Sequence, residues 1–432
     1  MGSRVRNRSA LTPVLVVEKL VPGGAGFCRA PDGRPVFVEG ALPGDRVRVL
    51  TQLDKKSFVE ATSFELVERG AERVTPACPV AEACGGCAFI GLPYAAQLRH
   101  KGLIVAEALA RTGGIRLPEP PAVVSVGEPL GYRLRVRLHV DERGGVGFYA
   151  RRSQLLVEPP GCAVVAPELD RVLAALHGLE PARKKTLGAG FEAVDLRAVP
   201  DDGGVELELT PRPKATVSGA AVDALVAALA EHARVGLGGG RRSGLRRYPL
   251  PGGGFLRVPA GGFTQVNWAV NAALVEAVVA GARARGARTF LDLYAGVGNF
   301  SVPLALAGLT GTAVELERTA TAALREALRE QSLTAVTVVE GDVGATLAKP
   351  ALVQGVELAL LDPPRTGAKV ALEPLVRLRP RAIAYVACDP VTLARDLKVL
   401  QARGYVLGEL TCFDMFPQTH HVETLAWLAP AA

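Results

Sequence analysis

One pattern in the last 174 residues narrows the fold more than anything else in the sequence. From about residue 259 onward, apolar runs of strand length alternate with helical stretches: "TFLDLYAG", "GTAVELE", "VTVVEGD", "VELALLDPPR" and "AIAYVACDP", each followed by a segment of helical periodicity. Strands alternating with helices specify an α/β domain with a doubly wound, mostly parallel sheet. Two final runs, "YVLGELTCF" and "VETLAWL", are joined by about ten residues without a helical pattern, which predicts an antiparallel hairpin at one edge. In such sheets ligands bind beyond the carboxyl ends of the strands, near the point where strand order reverses. Reactive residues are therefore sought just after each strand.

The first strand leads into "YAGVGNFS", where Gly296 and Gly298 allow the backbone to approach a ligand before a helix begins at about Asn299. Ser301 stands where the dinucleotide fingerprint has its third glycine. Glu315 closes the second strand, nineteen positions after Gly296, a placement from which a carboxylate accepts hydrogen bonds from ribose hydroxyls. Asp342 closes the third. Together these favour an adenosine-bearing ligand, S-adenosylmethionine, with a nicotinamide cofactor as the competitor. No G-x-x-x-x-G-K-[ST] is present, which disfavours phosphoryl transfer of the P-loop type. The fourth strand ends in "LLDPPRTG", with Asp362 before two prolines that fix the backbone. Methylases of exocyclic amines carry an aromatic residue where Arg365 stands here, which argues against amine methylation.

The fifth strand delivers Cys388 in "AYVACDP". A buried structural thiol is the ordinary fate of a strand cysteine. Placed after a methyl-donor motif, it has a second reading. C5 of a pyrimidine is too weak a nucleophile to attack a methyl sulfonium, and a thiolate adding to C6 makes C5 enolate-like. The scheme needs a base for the C5 proton, and Glu423 in "HHVETLAWL" is the candidate, with a strand-edge ion pair as its alternative.

The remaining chain is strand-rich at its start and carries clustered positive charge. Residues 12–70 alternate apolar and polar in short runs broken by "PDG" and "LPGD", the pattern of a small antiparallel barrel, and "RGAERVTP" reads as a linker. Residues 71–258 are mixed, with a helix around "YAAQLRHKGLIVAEALART" and the Gly-rich "VGLGGGRRSG" as a loop or hairpin connection. The net charge is +7, and arginines cluster in "GYRLRVRLHV", "YARRSQ" and "GGGRRSGLRRYPL". That suits a polyanionic partner such as nucleic acid, with compositional bias as the alternative. No apolar run is long enough to span a bilayer and the start lacks an apolar leader, so a cytoplasmic protein is expected. Of seven cysteines, Cys78, Cys84 and Cys87 follow C-x5-C-x2-C in "CPVAEACGGC", and Cys162 in "PPGCAVV" is the evident fourth ligand. Four thiolates hold either zinc or a [4Fe-4S] cluster, and spacing does not decide between them.

These motifs, in this order, resemble over nearly the whole chain the S-adenosylmethionine-dependent RNA (uracil-5-)-methyltransferase family, especially its iron-sulfur branch acting on 23S ribosomal RNA. The resemblance implies a Rossmann-like class I methyltransferase domain over 259–432. It implies an OB-like TRAM barrel over 12–70, signalled by "GALPGDRV", and a mixed α+β central domain over 71–258. It also implies that residues 93–120 pack on the catalytic domain. "CPVAEACGGC" with Cys162 is similar to that branch's [4Fe-4S] site, and "GGFTQVNWAVN" to a motif whose glutamine, here Gln265, contacts the cofactor. By the same likeness Tyr294, Asn299, Glu315, Asp342 and Asp362 contact S-adenosylmethionine, Cys388 is the nucleophile and Glu423 the base. The implied partner is RNA, with a uridine flipped from a loop, and the enzyme is expected to be a monomer. A transfer RNA uridine-54 methyltransferase is the alternative of the same class, and a non-catalytic RNA-binding or RNA-folding factor the alternative of a different class. Asp389 stands where the family usually has Asn, and a carboxylate there raises a neighbouring thiol's pKa unless it is paired or turned away.

Overall fold

The computed structural model describes residues 5–7, 13–215, 217–237, 244–349 and 355–431. Residues 238–243 of the Gly-rich and arginine-rich segment lie outside the described residues.

The N-terminal strands are β1 (Val5–Asn7), β2 (Val14–Val16), β3 (Lys19–Leu20), β4 (Gly26–Arg29), β5 (Pro35–Val38), β6 (Arg46–Asp54) and β7 (Val59–Glu68). They form one sheet in the order β1-β6-β7-β5-β4-β3, with β2 also on β6. Segment 14–20 therefore pairs with both ends of the path, with β6 through β2 and with β4 through β3, and curls the sheet around an apolar core containing Val17, Val36, Val38 and Val47. Its alternating pattern is explained by this curl, which turns every second side chain inward. "RGAERVTP" is not a free tether: Gly70 N–H and the Arg73 guanidinium both bond Asp45, a fully buried carboxylate.

The central unit holds β9 (Arg135–Val140), β10 (Val146–Tyr149), β11 (Leu156–Val157), β12 (Phe191–Ala198), β13 (Val205–Pro211) and β14 (Arg234–Leu237), in the order β11-β10-β9-β12-β13-β14. Helices α2 (Pro167–His177), α3 (Pro181–Gly190) and α4 (Gly219–Ala230) bury Leu169, Leu173, Leu187, Leu225 and Leu229 in its core. The hairpin of β15 (Leu245–Pro249) and β16 (Phe255–Pro259) shares a core with the next unit: Tyr248, Leu256 and Val258 pack with Val302, Ala323 and Leu324.

The C-terminal unit comprises α5 (Trp268–Ala284), β17 (Thr289–Leu293), α6 (Ser301–Leu306), β18 (Thr310–Glu315), α7 (Arg318–Glu330), β19 (Val336–Glu340) and α8 (Val343–Leu347). It continues with β20 (Leu358–Leu361), α9 (Lys369–Arg377), β21 (Ala382–Ala387), α10 (Pro390–Ala402), β22 (Tyr405–Phe413) and β23 (Glu423–Pro430). The strand order is β19-β18-β17-β20-β21-β23-β22-β8, where β8 is Val123–Val124. Pairs from β19 to β21 are parallel, and β23 is antiparallel to both its neighbours. All residues of β20 and β21 are buried because helices cover both faces. Period-two alternation splits them: Leu361, Ile383 and Tyr385 face the core of α9 and α10, whereas Leu360, Ala384 and Val386 face that of α5. The antiparallel β22–β23 hairpin lies at one end of the sheet, as expected from sequence, and the two-residue β8 adds to it by pairing in parallel with Cys412 and Phe413 of β22, a long-range pairing that local pattern does not encode.

Helix α1 (Tyr94–Ala108) crosses to this unit as well, with Val105 and the following Leu109 buried against Leu393, Ala394 and Leu397. At the centre of the contact Lys101 and Asp414, both fully buried, form an ion pair. Lys101 Nζ also donates to Phe416 O at 2.9 Å, and Tyr94 Oη to Asp414 Oδ2 at 2.8 Å. Burial pulls the Lys101 ammonium below its ordinary pKa, and Asp414 opposes that pull. Among the described residues no helix is long and apolar enough to cross a membrane. Removing one member of a buried pair strands the other charge, so Lys101→Met is expected to destabilise the protein by about 3–5 kcal/mol. Thermal melts should show a smaller loss for Lys101→Met with Asp414→Leu than for Lys101→Met alone.

Candidate active site

Strand order reverses between β17, which continues through β18, and β20, which continues through β21. A cavity of about 830 Å³ opens at the carboxyl ends of these strands. It is lined by Gln265, Tyr294, Asn299, Glu315, Asp342, Asp362, Cys388 and Glu423, so all eight cofactor and catalytic candidates in the C-terminal unit meet at one site.

The glycine turn shapes one wall. Tyr294 sits at φ 65°, a strained value for a residue with a Cβ, and Gly296 and Gly298 follow at φ 56° and 95°. Gly296 N–H donates to Glu315 Oε2 at 2.9 Å and Glu317 N–H to Oε1 at 2.7 Å, which fixes the carboxylate and leaves each oxygen a free lone pair. The helix starts at Ser301 rather than Asn299. Asn299 instead exchanges two amide hydrogen bonds of 2.9 Å with the fully buried Asn271 of α5. Asp342 caps α8, accepting from Ala345 N–H at 2.9 Å. Beneath the turn, buried Asp292 accepts from Ser301 Oγ at 2.5 Å, and its carboxyl is pushed up to about 7, mainly by burial. Leu316, 67% exposed though apolar, adds an open hydrophobic wall beside Glu315.

The opposite wall carries the reactive groups. Cys388 follows the buried β21, and its thiol is pushed up to about 11, first by burial and then by the charge of Glu423, with Arg365 opposing. Glu423, 3% exposed, is the first residue of β23. Burial, and after it the charge of Asp362, lifts its pKa well above the carboxylate range, again against Arg365. Burial raises Asp362 to about 7. Arg365 is therefore more than a helix-start charge: it lines the cavity, pulls both Cys388 and Glu423 down, and approaches His421 Nε2 at 3.4 Å. Asp389, the departure from the family pattern, is paired. Its side chain caps α10 by accepting from Thr392 N–H at 2.7 Å, a role asparagine fills equally well, and it ranks last among the influences on the Cys388 thiol.

The loop before Glu423 is held from outside its own unit. Gln97 Nε2 donates to Gln418 Oε1 at 2.8 Å, and Gln418 N–H returns a bond to Gln97 Oε1 at 3.0 Å. Gln418 takes φ 69°, and Tyr132 Oη donates to Pro417 O at 3.0 Å. The N-terminal sheet also touches this loop: a Cβ on Gly24 would lie 2.7 Å from the His420 ring. Sequence reading singled out neither Asn271 nor Leu316, nor Phe416 of the lining, because helix and loop residues of these kinds carry no motif of their own, and it met Arg133 only as one of a charge cluster.

The four cysteines at 78, 84, 87 and 162 are free thiols in one region of the central unit. Burial raises Cys84, Cys87 and Cys162, and each feels the charge of others in the set. Gly86 N–H donates to Cys84 Sγ at 3.4 Å. Among the described residues, no group of three or more His, Cys, Asp or Glu side chains is drawn together in the arrangement a metal ion requires.

A family model described as tRNA (uracil-5-)-methyltransferase matches residues 254–343 and 353–430. A 23S rRNA (uracil(1939)-C(5))-methyltransferase of Chromohalobacter salexigens is 34% identical over 99% of this chain and 91% of its own length. One from Alkalilimnicola ehrlichii is 35% identical, over 99% of this chain and 98% of its own. The structure of Pyrococcus abyssi tRNA (uracil-54, C5)-methyltransferase with S-adenosyl-L-homocysteine shares the fold, with a TM-score of 0.74 at 22% identity over 96% of this chain and 100% of that one. A class I methyltransferase fold is thus joined to sequence identity that extends through all three units, and the chain belongs to the RNA (uracil-5-)-methyltransferase family.

Proposed function

We propose that this protein methylates C5 of a uridine in 23S ribosomal RNA with S-adenosylmethionine as methyl donor, through a covalent adduct between Cys388 and C6. The observation that carries the reading is the meeting of Cys388 and Glu423, the thiol and the base such chemistry needs, in the cavity that also holds the glycine turn and Glu315. Ribosomal RNA is preferred over transfer RNA because relatives named for 23S rRNA match at 34–35% along nearly the full chain.

The residues present fit the donor. Glu315 has lone pairs free for ribose hydroxyls, Leu316 offers an apolar face to adenine, and Gln265, Tyr294, Asn299, Asp342 and Asp362 surround the same space. When bound, the donor supplies an electrophilic methyl group. The target uridine is taken out of its stack into the cavity, since in-stack chemistry at C5 and C6 is sterically blocked. The Cys388 thiol gives its proton to solvent and the thiolate forms a bond to C6, while the electron pair of the C5–C6 double bond moves toward C5 and O4. C5 would take the methyl group as the bond between that group and the donor sulfur breaks, its electron pair staying on sulfur; Glu423 accepts the C5 proton, and the C5–H electron pair re-forms the C5–C6 double bond as the C6–S bond breaks and the thiolate leaves. A carboxylate raised by burial is a stronger base for that proton than an exposed one. A raised pKa makes the thiolate itself more nucleophilic but leaves less of it at neutral pH, so Arg365, which pulls Cys388 down, favours the reacting form.

Residues 12–70 serve in this reading as an OB-like TRAM module for RNA and 71–258 as the central domain, with 259–432 catalytic together with α1 and β8. The four cysteines hold a [4Fe-4S] cluster in a structural role. The reading is supported by an all-thiol donor set, by the mutual influence of the thiols, and by the backbone N–H directed at Cys84.

Three outcomes test this. Cys388→Ala should lose methyl transfer but keep S-adenosylhomocysteine binding, and Glu423→Gln should accumulate a protein-RNA adduct visible as a shifted band on a denaturing gel; turnover by Cys388→Ala would overturn the covalent scheme. Because the thiol titrates at about 11, its thiolate fraction grows with pH. Iodoacetamide should therefore alkylate Cys388 about tenfold faster per pH unit from roughly pH 7 to pH 10, read by peptide mass spectrometry. Anaerobically purified protein should show a broad visible absorbance that Cys84→Ala bleaches, whereas a colourless, zinc-loaded wild type would contradict the cluster.

A further inference from the structure

Beside the catalytic cavity lies a smaller one of about 250 Å³, lined by Arg135, Arg137, Asp195, Arg197, Glu206 and Glu208 on one face of the central sheet, with Thr210 and Gly261 at its border. Arg135, Arg137 and Asp195 line both cavities, so the two adjoin across these side chains.

Strand register sets the charges of the smaller cavity in two rows. In one, Arg137 of β9 stands opposite Asp195 of β12, and the two are ion-paired at 2.5 Å. In the other, Arg135 stands opposite Arg197, and Glu206 lies beyond on β13. Glu206 is already engaged by Arg246 at 2.6 Å. The Arg135–Arg197 neighbours are thus like charges directly opposite each other on a sheet, an arrangement that destabilises it. Neither has an ion pair among the described residues. Arg197 is 6% exposed, and its buried Nε has no hydrogen-bond partner among them. Its Nη1 reaches Pro259 O only at 3.5 Å. A buried guanidinium left with an empty donor, beside a second one, costs free energy unless an anion completes it.

We propose that Arg135 and Arg197 form a subsite for one backbone phosphate of the RNA, adjacent to the nucleotide that enters the catalytic cavity. Guanidinium pairs suit a phosphodiester because their forked donors match its oxygens. Arg135, shared by both cavities, places the phosphate within about one nucleotide of the target base. Asp195 and Glu206 are held by their own arginines, and the third lining carboxylate, Glu208, stands opposite Asp195 in the other row, off the Arg135–Arg197 pair. The assignment rests on the RNA methyltransferase reading given above.

The test uses the whole enzyme and a short 23S rRNA fragment containing uridine 1939, the position named for the relatives. A neutral methylphosphonate is walked along the backbone of that fragment. With wild-type enzyme, one linkage next to the target should weaken binding about tenfold. Arg197→Gln should weaken binding of the unmodified fragment by a similar factor, reduce the salt slope of log K by about one, and abolish sensitivity to that one linkage. Arg197→Lys should restore the salt slope without restoring full affinity. S-adenosylhomocysteine affinity, unchanged in the variant, reports that the fold is kept. The subsite is overturned if no linkage near the target is sensitive in wild type, or if the Arg197→Gln and methylphosphonate effects simply add. If wild-type enzyme neither binds nor methylates the fragment although it binds S-adenosylhomocysteine, the RNA reading itself fails and the subsite falls with it.

Discussion

The buried pair of Lys101 and Asp414 is the constraint on which the site's geometry depends. Taking two charges out of water is costly, and the cost is offset only if both stay fully engaged. Here they do, through Tyr94, Phe416 O and each other. A residue of α1 is thereby locked to the start of the loop that ends at Glu423. Gln97 and Tyr132 fasten the middle of the same loop, and His420 is backed by the Gly24 turn. A loop tied at this many points holds the Glu423 carboxylate in one place.

Around that anchor the rest is sheet logic. Parallel strands β17, β20 and β21 bring Gly296, Asp362 and Cys388 to one edge, and β23, running the other way, brings Glu423 to it by its first residue rather than its last. An antiparallel strand inserted beside β21 is what allows Cys388 and Glu423 to approach from neighbouring strands. Arg365 then keeps the Glu423 carboxyl and the Cys388 thiol, both raised by burial, from drifting further toward their neutral forms.

Much of this was legible in the sequence because strands that end in Gly, Asp or Cys announce both a fold and a site. "AYVACDP" and "HHVETLAWL" could be placed by periodicity alone, and the chemistry of C5 paired them. Other features were illegible for a common reason: they are made by residues far apart in the chain. The cover of β22 by β8, the Asn271–Asn299 exchange and the meeting of Lys101 with Asp414 leave no local pattern. The two adjacent arginines were visible only as a charge cluster, since register, which sets Arg135 opposite Arg197, is a property of paired strands. Asp389 was a puzzle in one dimension because a helix cap and a charge beside a thiol look alike until the side chain's partner is seen.

The crossing of α1 and β8 into the C-terminal unit also has a consequence for biogenesis. Lys101 and Asp414 are 313 positions apart, and Cys412 beside them pairs with Val123. On the ribosome α1 and β8 emerge long before the strands they complete. Until then the apolar face of α1 lacks its cover, while the N-terminal and central units, whose contacts are nearer in sequence, can fold first. The cavity at the strand ends is therefore a late product of synthesis, closed by the last strands to be made, and early termination leaves the N-terminal and central units without Glu423 or its anchoring loop.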